Sequence, residues 1–196
     1  MKVRILLRAL ALALSLALTL VTAGCASSPP ESKYFLLRTD IKTVSPSAEN
    51  APAIGWGRVS VASYLDRAGI IVQVADNQVR EAQYHLWVEP LNRGIWHYVG
   101  AQTSNELGYP LSVNEAQKSQ WDSRVDLRVD EFHGTLDGRA HLVASWSVSD
   151  LKGDEKVKRY EFSQTQVQAS DGYASLVDAE IKLLDQLARA IASSLQ

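Results

Sequence analysis

The chain has 196 residues, 20 Lys plus Arg against 22 Asp plus Glu for a formal net charge of −2, and a single cysteine. One cysteine excludes an intramolecular disulfide and a thiolate cluster, and without a basic run neither nucleic acid nor electrostatic docking on anionic lipid is favoured. A hydrophobic content of 46% with five Trp and seven Tyr is enough for one domain held by its core alone.

Lys2, Arg4 and Arg8 precede about 13 uncharged, mostly Ala and Leu residues, and small residues close the segment, as in a secretory signal. The run is too short for a spanning helix, which needs about 20 apolar residues. It ends in Thr22-Ala23-Gly24-Cys25. That ending resembles the bacterial lipobox, with Thr22 where Leu is usual, and the resemblance implies cleavage between Gly24 and Cys25 followed by acylation of the thiol and the new amine. The chain is therefore expected to divide into a lipoprotein signal peptide over residues 1–24, a lipidated Cys25 and flexible tether over 25–32, and one periplasmic α+β domain over 33–196. The residues after Cys25 carry 17 basic and 22 acidic side chains, so membrane attachment has to be covalent. Two or more acyl chains give stable anchoring at about 0.8 kcal/mol per buried methylene. No cofactor is expected beyond this covalent lipid, and no metal. Ala26 to Ser32 is polar and contains Pro29 and Pro30, an extended tether that reaches at most about 25 Å.

Lys33–Thr39 reads as a first strand, followed by a Pro/Ser/Ala/Asn loop to about Pro52. Arg58–Tyr64 alternates with Val59 and Val61 on one face, a half-buried strand. Ile70–Ala75 is almost wholly β-branched and reads as a strand covered on both faces. Asp76-Asn77 marks a turn into a further strand, Gln78–Trp87. Pro90 then opens a helix to about Glu106, with Leu91, Ile95 and Val99 at helical spacing and Gly108 and Pro110 as the stop.

Period two returns from Trp121, with Val125, Leu127 and Val129 on one face. A turn over Gly134–Gly138 leads to Leu142, Ala144, Trp146 and Val148, and a second at Lys152-Gly153-Asp154 leads to Tyr160 and Phe162, a three-stranded antiparallel meander with one wet face. The last segment is a helix with an N-cap expected from Ser170-Asp171-Gly172. Its apolar stripe runs through Val177, Ile181, Leu184, Ala188, Ile191 and Leu195, widened by Leu176, Leu183 and Leu187. Asp178 with Lys182 and Asp185 with Arg189 are expected to pair off that stripe. So wide a stripe requires a partner, and the dry face of the meander supplies one. The expected fold is α+β, two layers, with a mostly antiparallel sheet of about six or seven strands packed against two helices.

Catalytic patterns are sparse. Glu131, His133 and His141 could meet on the outer face of a hairpin, whereas His85 and His97 flank the first helix; solvated histidines are the commoner outcome. Ser149-Asp-Leu-Lys152 has the Ser-x-x-Lys spacing of penicillin-binding enzymes, but at a strand-to-turn junction it reads as turn chemistry. No Gly-x-Ser-x-Gly, phosphate-cradling glycine loop or His-Glu-x-x-His is present.

Four segments behind the lipobox say more. They are Tyr64-Leu65-Asp-Arg-Ala-Gly69-Ile-Ile-Val-Gln73, Leu86-Trp87-Val-Glu-Pro90-Leu91, Glu131-Phe-His-Gly134 and Gln166-x-Gln-x-Ser-Asp171-Gly172-Tyr173. In this order they resemble the PqiC-like family of ABC-type transport auxiliary lipoproteins, from about Tyr34 to the C-terminus. Locally, Gly69 is expected to turn the loop sharply into a buried strand and Trp87 to plug a strand end. The loop containing Tyr64, Leu65 and Gly69 is the candidate partner-binding surface, since rigid scaffolds carry binding function on loops. The resemblance implies a non-catalytic docking subunit, lipid-anchored in the outer membrane and facing the periplasm. Its implied partners are an MCE-domain protein that spans the periplasm, that protein's inner-membrane transporter, and further copies of itself. A stand-alone lipid-binding lipoprotein and an envelope hydrolase are the alternatives.

Overall fold

A computed structural model describes residues 30–39, 51–153 and 156–196, so Gly24, Cys25 and the first part of the expected tether lie outside the described residues. Contacts divide the chain after Glu31, and residues 32–196 form one unit. Among the described residues seven strands make one sheet: β1 (Lys33–Phe35), β2 (Ile54–Val61), β3 (Gly69–Ala75), β4 (Gln78–Trp87), β5 (Ser123–Thr135), β6 (Arg139–Asp150) and β7 (Val157–Val167). Their order is β1-β4-β3-β5-β6-β7, with β2 paired to the first half of β5. Helices α1 (Leu91–Leu107) and α2 (Tyr173–Ser194) complete the α+β domain.

The meander β5-β6-β7 and the β3–β4 hairpin are antiparallel; β1 with β4, and both β2 and β3 with β5, are parallel. In β5 the expected alternation buries Val125, Leu127 and Val129, then a bulge interrupts the register before Glu131. Strict alternation would have turned that carboxylate into the core. The extra residue instead puts Phe132 on the core side and Glu131 and His133 on the opposite side of the sheet, where His133 is buried at 4% exposure rather than solvated as expected.

Leu176, Leu183, Leu184, Leu187, Ala188 and Ile191 of α2 are buried, and the helix packs on β6, β7 and α1. Two local expectations are corrected. Gly172, at φ 102°, is the N-cap of α2 with no side-chain cap, and Ser175 Oγ accepts from Ser170 N (3.0 Å). Asp185 does not pair with Arg189; its Oδ1 accepts from Tyr98 Oη (2.7 Å) and Gln102 Nε2 (2.8 Å), tying α2 to α1. Burial, and then the Asp185 carboxylate, push the Tyr98 phenol well above its ordinary range. Changing Tyr98 to Phe is expected to cost about 1.5 kcal/mol, read from a urea midpoint, because a charged acceptor loses one of its two donors.

Two strand boundaries also move. β1 ends at Phe35 rather than Thr39, because β4 ends opposite it at Trp87 and Leu37 turns into the core against Gly94. β2 begins at Ile54 rather than Arg58 and ends at Val61, leaving Tyr64 in the following turn.

Candidate functional site

β2 leaves the edge of β5 at the bulge, where Ala62 N still donates to Val129 O (2.8 Å), and β3 rejoins that edge at Gly134. The connection between them folds on a turn closed by Leu65 N to Ala62 O (2.9 Å). Leu65 is 1% exposed and anchors this loop from the core side, so it is not itself a contact surface. Gly69 is buried as well. A Cβ there would stand 2.4 Å from the Ala82 carbonyl, and Gly69 N donates to Glu81 Oε1 (3.0 Å), so close approach to β4 is the reason for glycine, in place of the expected sharp turn. Tyr64 is half-buried; the exposed part of the loop is Asp66, Arg67 and Ala68.

Those three residues face the end of β4. Trp87 N donates to Ala68 O (2.7 Å), and Asp66 to Ala68 with Trp87 to Pro90 enclose an open cleft of about 310 Å³. Trp87 is buried and stacks on Phe132 at 6.2 Å, which makes the floor rigid. Val88 is exposed and donates its N–H to Phe35 O (2.9 Å), which sets exposed Leu36 beside it. Glu89 holds Arg38 (2.9 Å) and lies 3.8 Å from Arg93, so a charged rim borders the apolar pair. Two segments read separately in the sequence therefore make one surface. The contribution of Val88 and Arg38 was missed, since neither belongs to a periodic pattern.

On the other flank of the loop, Tyr64 meets the Glu131-Phe-His-Gly134 segment. His133 Nδ1 donates to the Gly134 carbonyl (3.1 Å), and its Nε2 lies 3.3 Å from Glu131 Oε2; His141 Nε2 lies 3.2 Å from the same oxygen. The three side chains thus assemble on the side of the sheet away from the helices, with buried His133 and part-exposed His141 bridged by one oxygen of the Glu131 carboxylate. Among the described residues no group of three His, Cys, Asp or Glu is arranged to hold a metal ion. Burial, then the charge of Glu131, push the Tyr64 phenol up to about 12. Changing Glu131 to Gln is expected to bring Tyr64 back toward its ordinary value, seen as an earlier tyrosinate absorbance rise in an alkaline titration; an unchanged curve would separate Tyr64 from this cluster.

The remaining candidates stay apart. His85 stacks on Tyr173 at 4.1 Å, and exposed His97 packs edge-on to Trp96 at 4.8 Å. Lys152 pairs with Asp122 rather than approaching Ser149, whose backbone pairs in register with Val157, and Asp150 Oδ1 closes the turn by accepting from Lys152 N (2.9 Å) and Gly153 N (3.0 Å).

Solved structures share this architecture. An uncharacterized protein superposes with a TM-score of 0.73 at 21% identity, over 85% of this chain and 100% of that one. A protein from Xanthomonas campestris gives 0.65 at 14% identity, over 81% of this chain and 92% of that one. Residues 34–192 match the family described as ABC-type transport auxiliary lipoprotein component, and the chain belongs to that family. Within it, the chain is 26% identical over 175 residues to the intermembrane transport lipoprotein PqiC of Escherichia coli K12, covering 89% of this chain and 91% of that protein.

Proposed function

We propose that this protein is a docking subunit of an intermembrane lipid transport system, held in the outer membrane by lipid on Cys25 and facing the periplasm. It receives the distal end of an MCE-domain protein whose other end belongs to an inner-membrane ABC transporter, and it does so as a homo-oligomer matched to an oligomeric tube. The observation that supports this reading is the cleft between Asp66–Ala68 and Trp87–Pro90, where an apolar pair within a charged rim stands on a rigid floor. Such a surface suits a protein partner, because an apolar centre with a polar rim excludes water from the contact. Family membership and the relative named for intermembrane transport support this choice of system, and Ala26 after the cysteine favours outer-membrane sorting.

The test is co-purification from membranes solubilised in mild detergent, after crosslinking. Wild-type protein is expected to bring down an MCE-domain partner, and the Val88→Asp/Arg67→Glu protein to lose it while keeping its melting temperature. Recovery of no MCE partner with wild type would defeat the docking role. Cys25→Ala is expected to leave the signal uncleaved and the chain unacylated, whereas the intact mass of wild-type protein is expected to begin at Cys25 and carry acyl groups; a wild-type mass without them would defeat the lipid anchor.

A further inference from the structure

The register places two turns and a strand end together. Gln73 pairs with both Val79 and Thr135, so the β3–β4 turn at Asp76-Asn77 lies beside the β5–β6 turn at Leu136-Asp137, and Val167 at the end of β7 pairs with Arg139 just past that turn. Three aliphatic side chains from three elements are exposed there: Val79 at 48%, Leu136 at 68% and Val167 at 64%. Turn chemistry does not call for leucine at such a tip; Gly, Asn, Asp and Ser serve it. Gln78 to Glu81 are exposed on both faces of β4, whereas Ile71 and Val72, which pair with Glu81 and Arg80, are buried, so only the tip from Gln73 and Val79 onward stands out from the core. Behind the turns a cleft of about 200 Å³ has Val72, Leu136, Tyr173 and Leu176 among its walls.

Chain direction says what lies beyond this end. β1 runs parallel to β4 with Lys33 opposite His85, so the chain comes to Lys33 from the side of Gln78. From His85 back to Gln78 is about 23 Å of strand. From Cys25 to Lys33 the chain reaches at most about 28 Å. Drawn out fully along β4, a tether of this length would reach the level of the turns and no farther. The exposed valines at the opposite end of the sheet, Val88, Val113 and Val157, lie in the direction from which this chain would have to double back.

We propose that the end of the domain bearing Val79, Leu136 and Val167 rests on the lipid bilayer that holds the Cys25 anchor. The proposal depends on the lipidation given under Proposed function. Arg80, which has no ion pair among the described residues, lies next to Val79 and faces the phosphate layer in this pose. Three aliphatic side chains suffice because the anchor makes the contact intramolecular, and a high effective concentration keeps a weak contact occupied. Seated this way, the domain holds the Asp66–Ala68 cleft at the end away from the membrane, open to a partner arriving through the periplasm.

The experiment uses full-length acylated protein purified from membranes. Acylation consumes the Cys25 thiol, so Leu136→Cys and, separately, Val113→Cys each create one site for a fluorescent label. The proteins are reconstituted into vesicles of phosphatidylethanolamine and phosphatidylglycerol with and without brominated acyl chains. Brominated lipid is expected to quench the label at 136 by about twofold or more and to leave the label at 113 unchanged, since only side chains at the acyl boundary meet the bromines. Equal quenching at both positions, or none at 136, overturns the contact. Loss of fluorescence at 136 that follows protein concentration without vesicles overturns it too, by assigning the patch to a second copy. Intact mass separates the two levels: an acylated Cys25 with no quenching at 136 removes the contact alone, whereas an unmodified Cys25 removes the anchor reading beneath it.

Discussion

Changing Glu180 to leucine is expected to stabilise the domain by about 1–3 kcal/mol at pH 7, the usual cost of a buried polar group without a partner. Glu180 lies on the apolar side of α2, is 1% exposed, and its Oε2 has no hydrogen-bond partner. Burial raises its pKa well above the ordinary value, so the folded state prefers the neutral acid. A raised folded pKa favours folding fully below the unfolded pKa of about 4.3, and that contribution is lost as pH climbs toward the folded pKa. The leucine variant lacks this loss, so its advantage is expected to grow as pH rises from about 4.3, by at most about 1.4 kcal/mol per unit. Urea midpoints at pH 5 and pH 8 measure it. A variant less stable than wild type at both would mean that the carboxyl has a partner.

Gly55→Ala is expected to destabilise by about 3 kcal/mol, because overpacking here cannot be relieved by a flexible side chain. A Cβ at Gly55 would stand 2.0 Å from Cε3 of Trp121 and 2.3 Å from its Cδ2. The indole cannot swing away cheaply. It is 2% exposed, its Nε1 donates to Ser112 Oγ (2.9 Å), and Ser112 is itself laced to β2 through Ile54 O and Trp56 N (2.8 Å each). Asp122 closes the same corner, donating its N–H to Ala53 O (2.7 Å) and accepting Ala53 N on Oδ2 (2.6 Å). If the ring is the obstacle, Gly55→Ala should cost little more in a Trp121→Ala background than Trp121→Ala alone, a coupling visible in a double-mutant cycle. Additive losses would place the strain elsewhere.

What could be read in advance follows from where the cause of each feature sits. Val125, Leu127 and Val129, or Leu176 through Ile191, declare a half-buried strand and an amphipathic helix because each repeats a local period. The start of β2 was hidden because Gly55 and Gly57 break that period, and the atoms that require them, from Trp121, Arg124 and Asp126, are some 65 residues away in sequence. The parallel pairings were hidden for the same reason, since no turn joins the partners. At the site, the loop at Tyr64–Gly69 and the segment at Trp87–Pro90 were each visible as motifs. Their contact runs through the backbone, with Trp87 N bonded to Ala68 O and Gly69 paired with Leu86, which no side-chain pattern reports. Leu65 was misplaced as surface because it sits in a loop, and Asp185 because an acid four residues before a base suggests a surface pair.

The three-residue pairing of β1 with β4 has a mechanical consequence. In the proposed arrangement, tied to a bilayer at one end and to a partner at the other, the domain would be under tension whenever the membranes move apart. With Lys33, Tyr34 and Phe35 running parallel to His85, Leu86 and Trp87, a pull on the tether is directed along the strand axis. The inter-strand bonds are then loaded together in shear rather than broken one at a time from an end, and Leu37, buried against α1, acts as the stop behind them. A strand too short to add much equilibrium stability can still serve as a clasp under tension.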